Sequence, residues 1–290
     1  MSGILIKDKI ASGEFFCAPG IQDMITAVIA KDVGFDAVYA SGYWMGASAY
    51  GLPDVGITTY TQMLDRVGTL VKTIGTAGVI ADADTGYGGL LNVRETVRGF
   101  ESAGAQVIQI EDQEFPKKCG HTKNKRIIPL EDMVTKIKVA VDSRKSTNTL
   151  ISARTDCYQS EGFSSLMKRL EAYSKAGADI IFPEAVVTEK EMRQVCSSID
   201  KPAMANMADG GNTPIWCAEE LADIGFAFAI FPATASLSAA AAIKHALTRL
   251  KTTGTSIHND VDLYSFSHFC QLIGFEDVWE FEKKWHSNSK

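Results

Sequence analysis

No two of the six cysteines stand in Cys-X-X-Cys spacing, which argues against both a zinc ribbon and a small disulfide scaffold. The five histidines are His121, His245, His258, His268 and His286, and no pair of them has metal-ligand spacing. Basic charge is not in excess: 29 Lys and Arg stand against 35 Asp and Glu, for a net charge of −6. A chain built to coat nucleic acid would be basic, so that function class is set aside, while a local basic pocket for an anionic metabolite stays open. No apolar run is long enough to cross a bilayer, and the N-terminal residues lack the apolar stretch and small-residue cleavage pattern of a secretory signal. The expected partner is a small molecule, without nucleic acid or membrane. The expected compartment is the cytosol, or an organellar matrix where a transit peptide has been trimmed.

With 46% hydrophobic and 22% charged residues over 290 positions, the chain can bury a large core. It suits either two domains or one barrel of about 250 residues. Four glycines, Gly34, Gly104, Gly177 and Gly225, each end a helical stretch and precede a short apolar run. Glycine supplies the left-handed position after a helix, and an apolar run of that length suits a strand buried on both faces. Further strands are expected at 15–18, 78–82, 150–154 and 202–206, making eight. Amphipathic helices are expected at 60–74, 93–103, 130–144, 164–176, 189–199 and 216–224. Strict alternation of strand and helix predicts parallel strands with right-handed crossovers, and eight units favour closure into a (β/α)8 TIM-type barrel over residues 1–250.

In such a barrel the active site is built at the carboxyl ends of the strands. The polar residues fall there: Ser41, then Asp82 and Asp84, Glu111 and Asp112, Arg154 and Asp156, Glu184, and Asn206. The connection at 113–129 is long and basic, and is read as an active-site lid. It carries Lys117, Lys118, Cys119, Gly120 and His121. A thiol beside cations and an imidazole is poised for proton transfer or nucleophilic attack, although a surface basic loop with an incidental cysteine reads the same way. The remaining residues, 251–290, hold aromatic and apolar positions at helical spacing. This C-terminal extension is expected to pack on another subunit, the alternative being its own barrel.

Asp82 and Asp84 at a strand end, with Glu111 on the next strand, offer hard oxygen ligands of the kind Mg²⁺ prefers. Both aspartates would equally serve as caps of the following helix. Arg154 suits a carboxylate or a developing enolate, and also an ion pair with Glu184 or Asp156.

With these residues assembled, the chain resembles the isocitrate lyase and phosphoenolpyruvate mutase superfamily over nearly its full length. The matching segments run from Ser41 and Gly42 through 51–54, 82–88, 111–113, 117–121 and 153–156 to 183–185 and Asn206. It looks most like the short-chain branch, which includes 2-methylisocitrate lyase, 2,3-dimethylmalate lyase, petal death protein and carboxyphosphonoenolpyruvate phosphonomutase. The resemblance implies a Mg²⁺ enzyme, with Mn²⁺ as a substitute, assembled as a homotetramer whose last helix is swapped between subunits. It implies that Asp82 and Asp84 hold the metal, with Asp54 and Glu111 in support. It makes Cys119 the general acid, with His121 and Lys117 stabilising negative charge and Gly120 donating a backbone N–H. Ser41, Gly42 and Tyr43 become the carboxylate-binding turn, and Arg154, Glu184 and Asn206 substrate contacts. Tyr39 is the candidate base.

The activity so implied is cleavage of a C–C bond in a 2-hydroxy di- or tricarboxylate, giving an α-keto acid and a carboxylate. Tyr43 in the binding turn and Ala208 after Asn206 depart from the 2-methylisocitrate lyase pattern and favour a substituted malate. The alternatives are a phosphonomutase forming a P–C bond, an oxaloacetate hydrolase or decarboxylase, and a catalytically silent barrel acting through its swapped helix.

Overall fold

The computed structural model describes residues 5–120 and 125–286. Eight strands form one sheet: β1 (Phe16–Ile21), β2 (Ala37–Ala40), β3 (Gly78–Asp82), β4 (Val107–Glu111), β5 (Leu150–Thr155), β6 (Ile180–Pro183), β7 (Met204–Asn206) and β8 (Phe228–Phe231). Their order is β6-β5-β4-β3-β2-β1-β8-β7, and every pair is parallel. Between β6 and β7 a single parallel bridge, Ile181 to Ala203, closes the ring, with Ile181 N–H donating to the Pro202 carbonyl at 3.0 Å. The expected TIM-type α/β barrel is what the chain forms. Gly34, Gly104, Gly177 and Gly225 all sit at positive φ where helix gives way to strand, as the left-handed turn there requires.

Side chains alternate along each strand, so one parity fills the barrel and the other packs on the helices. Ala37, Tyr39, Ile80, Val107, Leu150, Ile180, Phe182, Met204, Phe228 and Ile230 belong to the interior cluster. Val38, Val79, Ala81, Ile108, Ile110, Ile151 and Ala153 pack outward, against helices such as Tyr60–Ile74 and Leu90–Ala103. Ile6, fully buried in the short helix Ile6–Ser12, plugs the amino end of the barrel and donates its N–H to Gln106 Oε1 at 2.8 Å. At the opposite end, the carboxyl ends of the strands line a cavity.

The last barrel helix, Thr234–Thr253, buries only Ser236, and the terminal helix Phe275–His286 buries no residue. Between them, helix Phe266–Leu272 touches helix Met24–Val33. Phe266, Phe281 and Trp285 are each more than half exposed, so much of the extension's apolar surface stays uncovered in the single chain.

Candidate active site

The site follows from strand parity. Asp82 continues the inward series of Ile80, Glu111 that of Val107 and Gln109, Arg154 that of Leu150 and Ser152, Glu184 that of Ile180 and Phe182, and Asn206 that of Met204. Each is the first polar group at or just past the top of its strand. They line a cavity of about 290 Å³ together with Tyr39, Ser41, Tyr43, Asp54, Lys117, Cys119 and Gly120. Asp112 has the opposite parity and lies behind the cavity wall. Of the remaining expected residues, Gly42 and Asp84 flank the cavity, and His121 lies outside the described residues.

Gly42 begins the helix Gly42–Tyr50, and its N–H donates to Asp82 Oδ2 at 3.3 Å. A Cβ at Gly42 would stand 3.1 Å from Asp82 Oδ2 and 3.2 Å from Asp84 Oδ1, so a side chain would press on both carboxylates. Asp82 Oδ1 accepts from Asp84 N–H at 3.1 Å and from Gln109 Nε2 at 3.4 Å. Asp84 itself has φ of +47°, a strained conformation of the kind that gathers at functional sites. Neither aspartate caps the next helix, because Gly89 occupies that position and its N–H is met by Asn92 Oδ1.

Lys117 stands among the carboxylates. Its ammonium is ion-paired with Asp54 and, at 2.7 Å, with Asp84 Oδ1. Burial disfavours its charge, yet Asp84, Glu111, Asp54 and Asp82 outweigh burial and keep it protonated far above the ordinary range. Burial raises Glu111 well above the usual carboxylate range despite Arg154, and raises Asp84 to about 6 despite Lys117. Asp54, Asp82, Asp84, Glu111, Asp156 and Glu184 thus gather around Lys117, Lys125 and Arg154, with Lys118 also on the cavity wall. Among the described residues Glu111 Oε1 is buried without a hydrogen-bond partner. The donors are hard oxygens, which fits a divalent cation of the Mg²⁺ type. No three of these side chains form a ready cage among the described residues, and the Lys117 ammonium provides the positive charge at their centre.

Arg154 is held by a bidentate pair to Asp156 at 3.0 and 2.9 Å, by Glu184 at 3.3 Å and by Glu111 at 3.5 Å, with its guanidinium over the Phe182 ring. Both ion pairs expected from the sequence are therefore made. Asn206 Nδ2 donates to both Glu184 oxygens at 3.0 and 3.3 Å. Tyr39 donates its hydroxyl to Gln109 Oε1 at 3.2 Å, and burial, then Asp82, raises its pKa well above the ordinary value. Tyr39 thus sits in the floor of the site, linked through Gln109 to Asp82.

The thiol loop leaves β4 through a short antiparallel neck, where Gln113 bridges Ile127 and Glu114 N–H donates to the Arg126 carbonyl at 2.8 Å. The Gln113 side chain clasps Lys118 from both sides, donating to its carbonyl at 2.8 Å and accepting its N–H at 2.9 Å. Cys119 is half-buried on the cavity wall. Gly120 lies against Arg154 so closely that a Cβ would come 2.0 Å from Nη2.

Three contributors escape the sequence reading. Gln109, which couples Tyr39 to Asp82, leaves a trace as the lone amide of an otherwise apolar strand with the inward parity of Glu111. Gln113 stands in the matching segment 111–113, but its role and that of Lys125 depend on how the loop folds back. Away from the carboxylates the cavity wall is apolar, formed by Trp44, Ala208, Ile230, Pro232, Ala233 and Leu237, with Asp209 at its edge.

Comparison with known proteins gives a consistent result. The pattern of the phosphoenolpyruvate phosphomutase family matches residues 7–251. A 2,3-dimethylmalate lyase of Eubacterium barkeri is 41% identical over 277 residues, covering 96% of each chain. A 2-methylisocitrate lyase of Aeropyrum pernix is 38% identical over 275 residues, 95% of this chain and 88% of that one. Among solved structures, oxaloacetate acetylhydrolase in complex with 3,3-difluorooxalacetate superposes with a TM-score of 0.91 at 27% identity, covering 97% of this chain and 95% of the other. Phosphonopyruvate hydrolase in complex with oxalate and Mg²⁺ gives 0.86 at 25% identity, over 97% and 98% of the two chains.

Proposed function

This chain belongs to the phosphoenolpyruvate phosphomutase family, and from that membership we propose that it is a Mg²⁺-dependent carbon–carbon lyase acting on a substituted malate, releasing an α-keto acid and a carboxylate. The observation that carries the reading is the convergence of strand-end carboxylates, Arg154 and the Cys119 thiol on one cavity. Its two relatives above are lyases of 2-hydroxy di- and tricarboxylates by name.

Asp82 and Asp84, supported by Asp54 and Glu111, would hold Mg²⁺, which when bound would polarise the substrate oxygens that chelate it. Arg154, fixed by three carboxylates, presents its guanidinium to a substrate carboxylate at no reorganisation cost. The substrate's hydroxyl proton passes to solvent water in the cavity as the keto group forms and the C–C bond breaks, and the bonding pair passes to the carboxylate fragment as an enolate. The Cys119 thiol then delivers its proton to that carbon, leaving a thiolate that recovers a proton from solvent. Lys117 and His121 are assigned to stabilising the charge that builds during cleavage, and Ser41, Gly42 and Tyr43 to receiving a carboxylate. The apolar wall from Trp44 to Leu237 suits an alkyl substituent.

The same reading assigns a homotetramer with the C-terminal extension seated on a neighbouring subunit. The exposed apolar residues of that extension support it.

The test is keto acid release, followed by coupled NADH oxidation, from 2,3-dimethylmalate, other alkylmalates, 2-methylisocitrate and oxaloacetate, with Mg²⁺ and with chelator. Keto acid from the alkylmalates that chelator abolishes is the expected outcome. Oxalate from oxaloacetate with no keto acid from any malate would instead assign a hydrolase, and silence with all of them while a phosphonate is turned over would assign a mutase.

A further inference from the structure

Lys125 has a side chain only 3% exposed, and an ammonium is held inside a protein only when it is paired. Its Nζ donates to the backbone carbonyl of Gly120 and to Asp156 Oδ1 at 3.3 Å. Asp156 is also the carboxylate that takes both hydrogen bonds from Arg154, and its backbone N–H donates to Asp112 Oδ1 at 2.9 Å. Asp112 is anchored in turn by the Tyr173 hydroxyl at 2.7 Å and by Arg169 at 3.4 Å, and Arg169 reaches on to the Ile128 carbonyl at 3.1 Å. One buried carboxylate therefore holds the guanidinium that faces the cavity and the lysine that grips the thiol loop.

We propose that Lys125 is a positioning residue for the reaction: by bridging the Gly120 carbonyl to Asp156 it seats the Cys119–Gly120 backbone over Arg154 and fixes the thiol relative to the substrate. Lys125 does not line the cavity, so it acts through Gly120 and Asp156. The geometry leaves little slack. Gly120 already lies in contact with an Arg154 that three carboxylates pin, so loop and guanidinium are set against each other. Burial alone would raise the Asp156 carboxyl, yet Arg154 and Lys125 together hold it below the ordinary range. Without the lysine, Gly120 loses its tether and Asp156 one of its two cations. A misplacement of about 1 Å in a reacting group costs on the order of 100-fold in rate.

The inference rests on Cys119 being the acid, and its test has a readout independent of turnover. Lys125→Met keeps the apolar stem and removes the charge, while Lys125→Arg restores a charge and Lys125→Gln keeps a donor for the Gly120 carbonyl. The measurements are kcat and KM, together with peptide-mapped alkylation of Cys119 by iodoacetamide, with the exposed Cys217 as a reference and the buried Cys157 as a monitor of global loosening. K125M is expected to lower kcat by about 10- to 100-fold with a smaller change in KM. Cys119 alkylation should change several-fold in rate while Cys217 and Cys157 hold steady, with K125Q and K125R each recovering part of both effects. Unchanged Cys119 alkylation and kcat would overturn the proposal. So would a uniform rise across all cysteines, which marks a purely structural role. If K125M does not fold, K125Q is judged by the same two criteria. If Cys119→Ser retains turnover, the acid assignment fails separately, and the alkylation result still decides whether Lys125 positions the loop.

Discussion

Cys119 and Gly120 occupy adjacent positions and serve opposite physical needs. Cys119 sits half-buried at the cavity wall, where a thiol can meet a carbanion and still exchange its proton with solvent. Cys119→Ser replaces it with a far weaker acid, and kcat is expected to fall by about 100- to 10,000-fold with Tm and ligand binding little changed. Steady-state kinetics with a binding titration checks this, and a kcat within a few-fold of the parent would remove the thiol from the mechanism. Gly120 has no side chain because Arg154 fills that space, a Cβ coming 2.0 Å from Nη2. Arg154 cannot swing aside without leaving Asp156, Glu184 and Glu111. Gly120→Ala should therefore raise KM as well as lower kcat, since it displaces the group assigned to the substrate carboxylate. A change in kcat alone would show that the loop, and not Arg154, yields.

At the scale of the element, much of the barrel is legible in the sequence. Helix Tyr60–Ile74 and strand β3 run over the residues expected of them, because each carries a clean period and a clear stop. Strand β1 is longer than the expected 15–18, since Pro19 and Gly20 look like a turn. Pairing of Gly20 with Tyr39 and of Pro19 with Phe231 keeps the segment extended. Helix Gly42–Tyr50 carries no 3.6-residue apolar stripe and is invisible to periodicity. Strand-end polarity picks out residues that the fold gathers at one cavity, and parity separates Asp112, which faces away, from Glu111. The partners of Lys117 and Lys125 were not legible, because they depend on the path of the loop at 113–129.

Two further tests belong to this scale. A Cβ at Gly20 would lie 2.2 Å from the Pro232 backbone carbonyl, which has no freedom to move. Gly20→Ala is expected to cost about 1–3 kcal/mol in urea unfolding, as overpacking does, and an unchanged midpoint would contradict the close approach. Glu101, at the end of helix Leu90–Ala103, accepts N–H groups from Lys145 and Ser146 at 2.8 to 3.0 Å. Its partial burial acts upward, but these hydrogen bonds prevail and hold its pKa below the ordinary 4.5. A lowered acid contributes stability above its unfolded pKa and loses it as pH falls through the folded value. Glu101→Ala should thus cost on the order of 1 kcal/mol at pH 7, a modest figure because solvent screens this partly exposed site. The deficit should vanish at pH values well below 4.5, and a pH-independent deficit would show that the charge is immaterial.

For the whole molecule, the barrel concentrates charge at one end, and its extension exposes apolar surface that a single chain leaves uncovered. Leu247→Asp with Trp285→Ser is expected to shift sedimentation from tetramer toward smaller species, leaving the barrel's circular dichroism intact. A parent that sediments as a monomer would contradict the proposed assembly.

The central claim, cleavage with proton delivery to the carboxylate fragment, is tested most directly by NMR of the products formed from 2,3-dimethylmalate in D₂O with Mg²⁺. The account predicts equimolar pyruvate and propionate, the propionate carrying one solvent deuterium at C2, and neither product in the presence of chelator. Recovery of intact 2,3-dimethylmalate from the Mg²⁺-loaded enzyme, alongside turnover of oxaloacetate or a phosphonate, would contradict it.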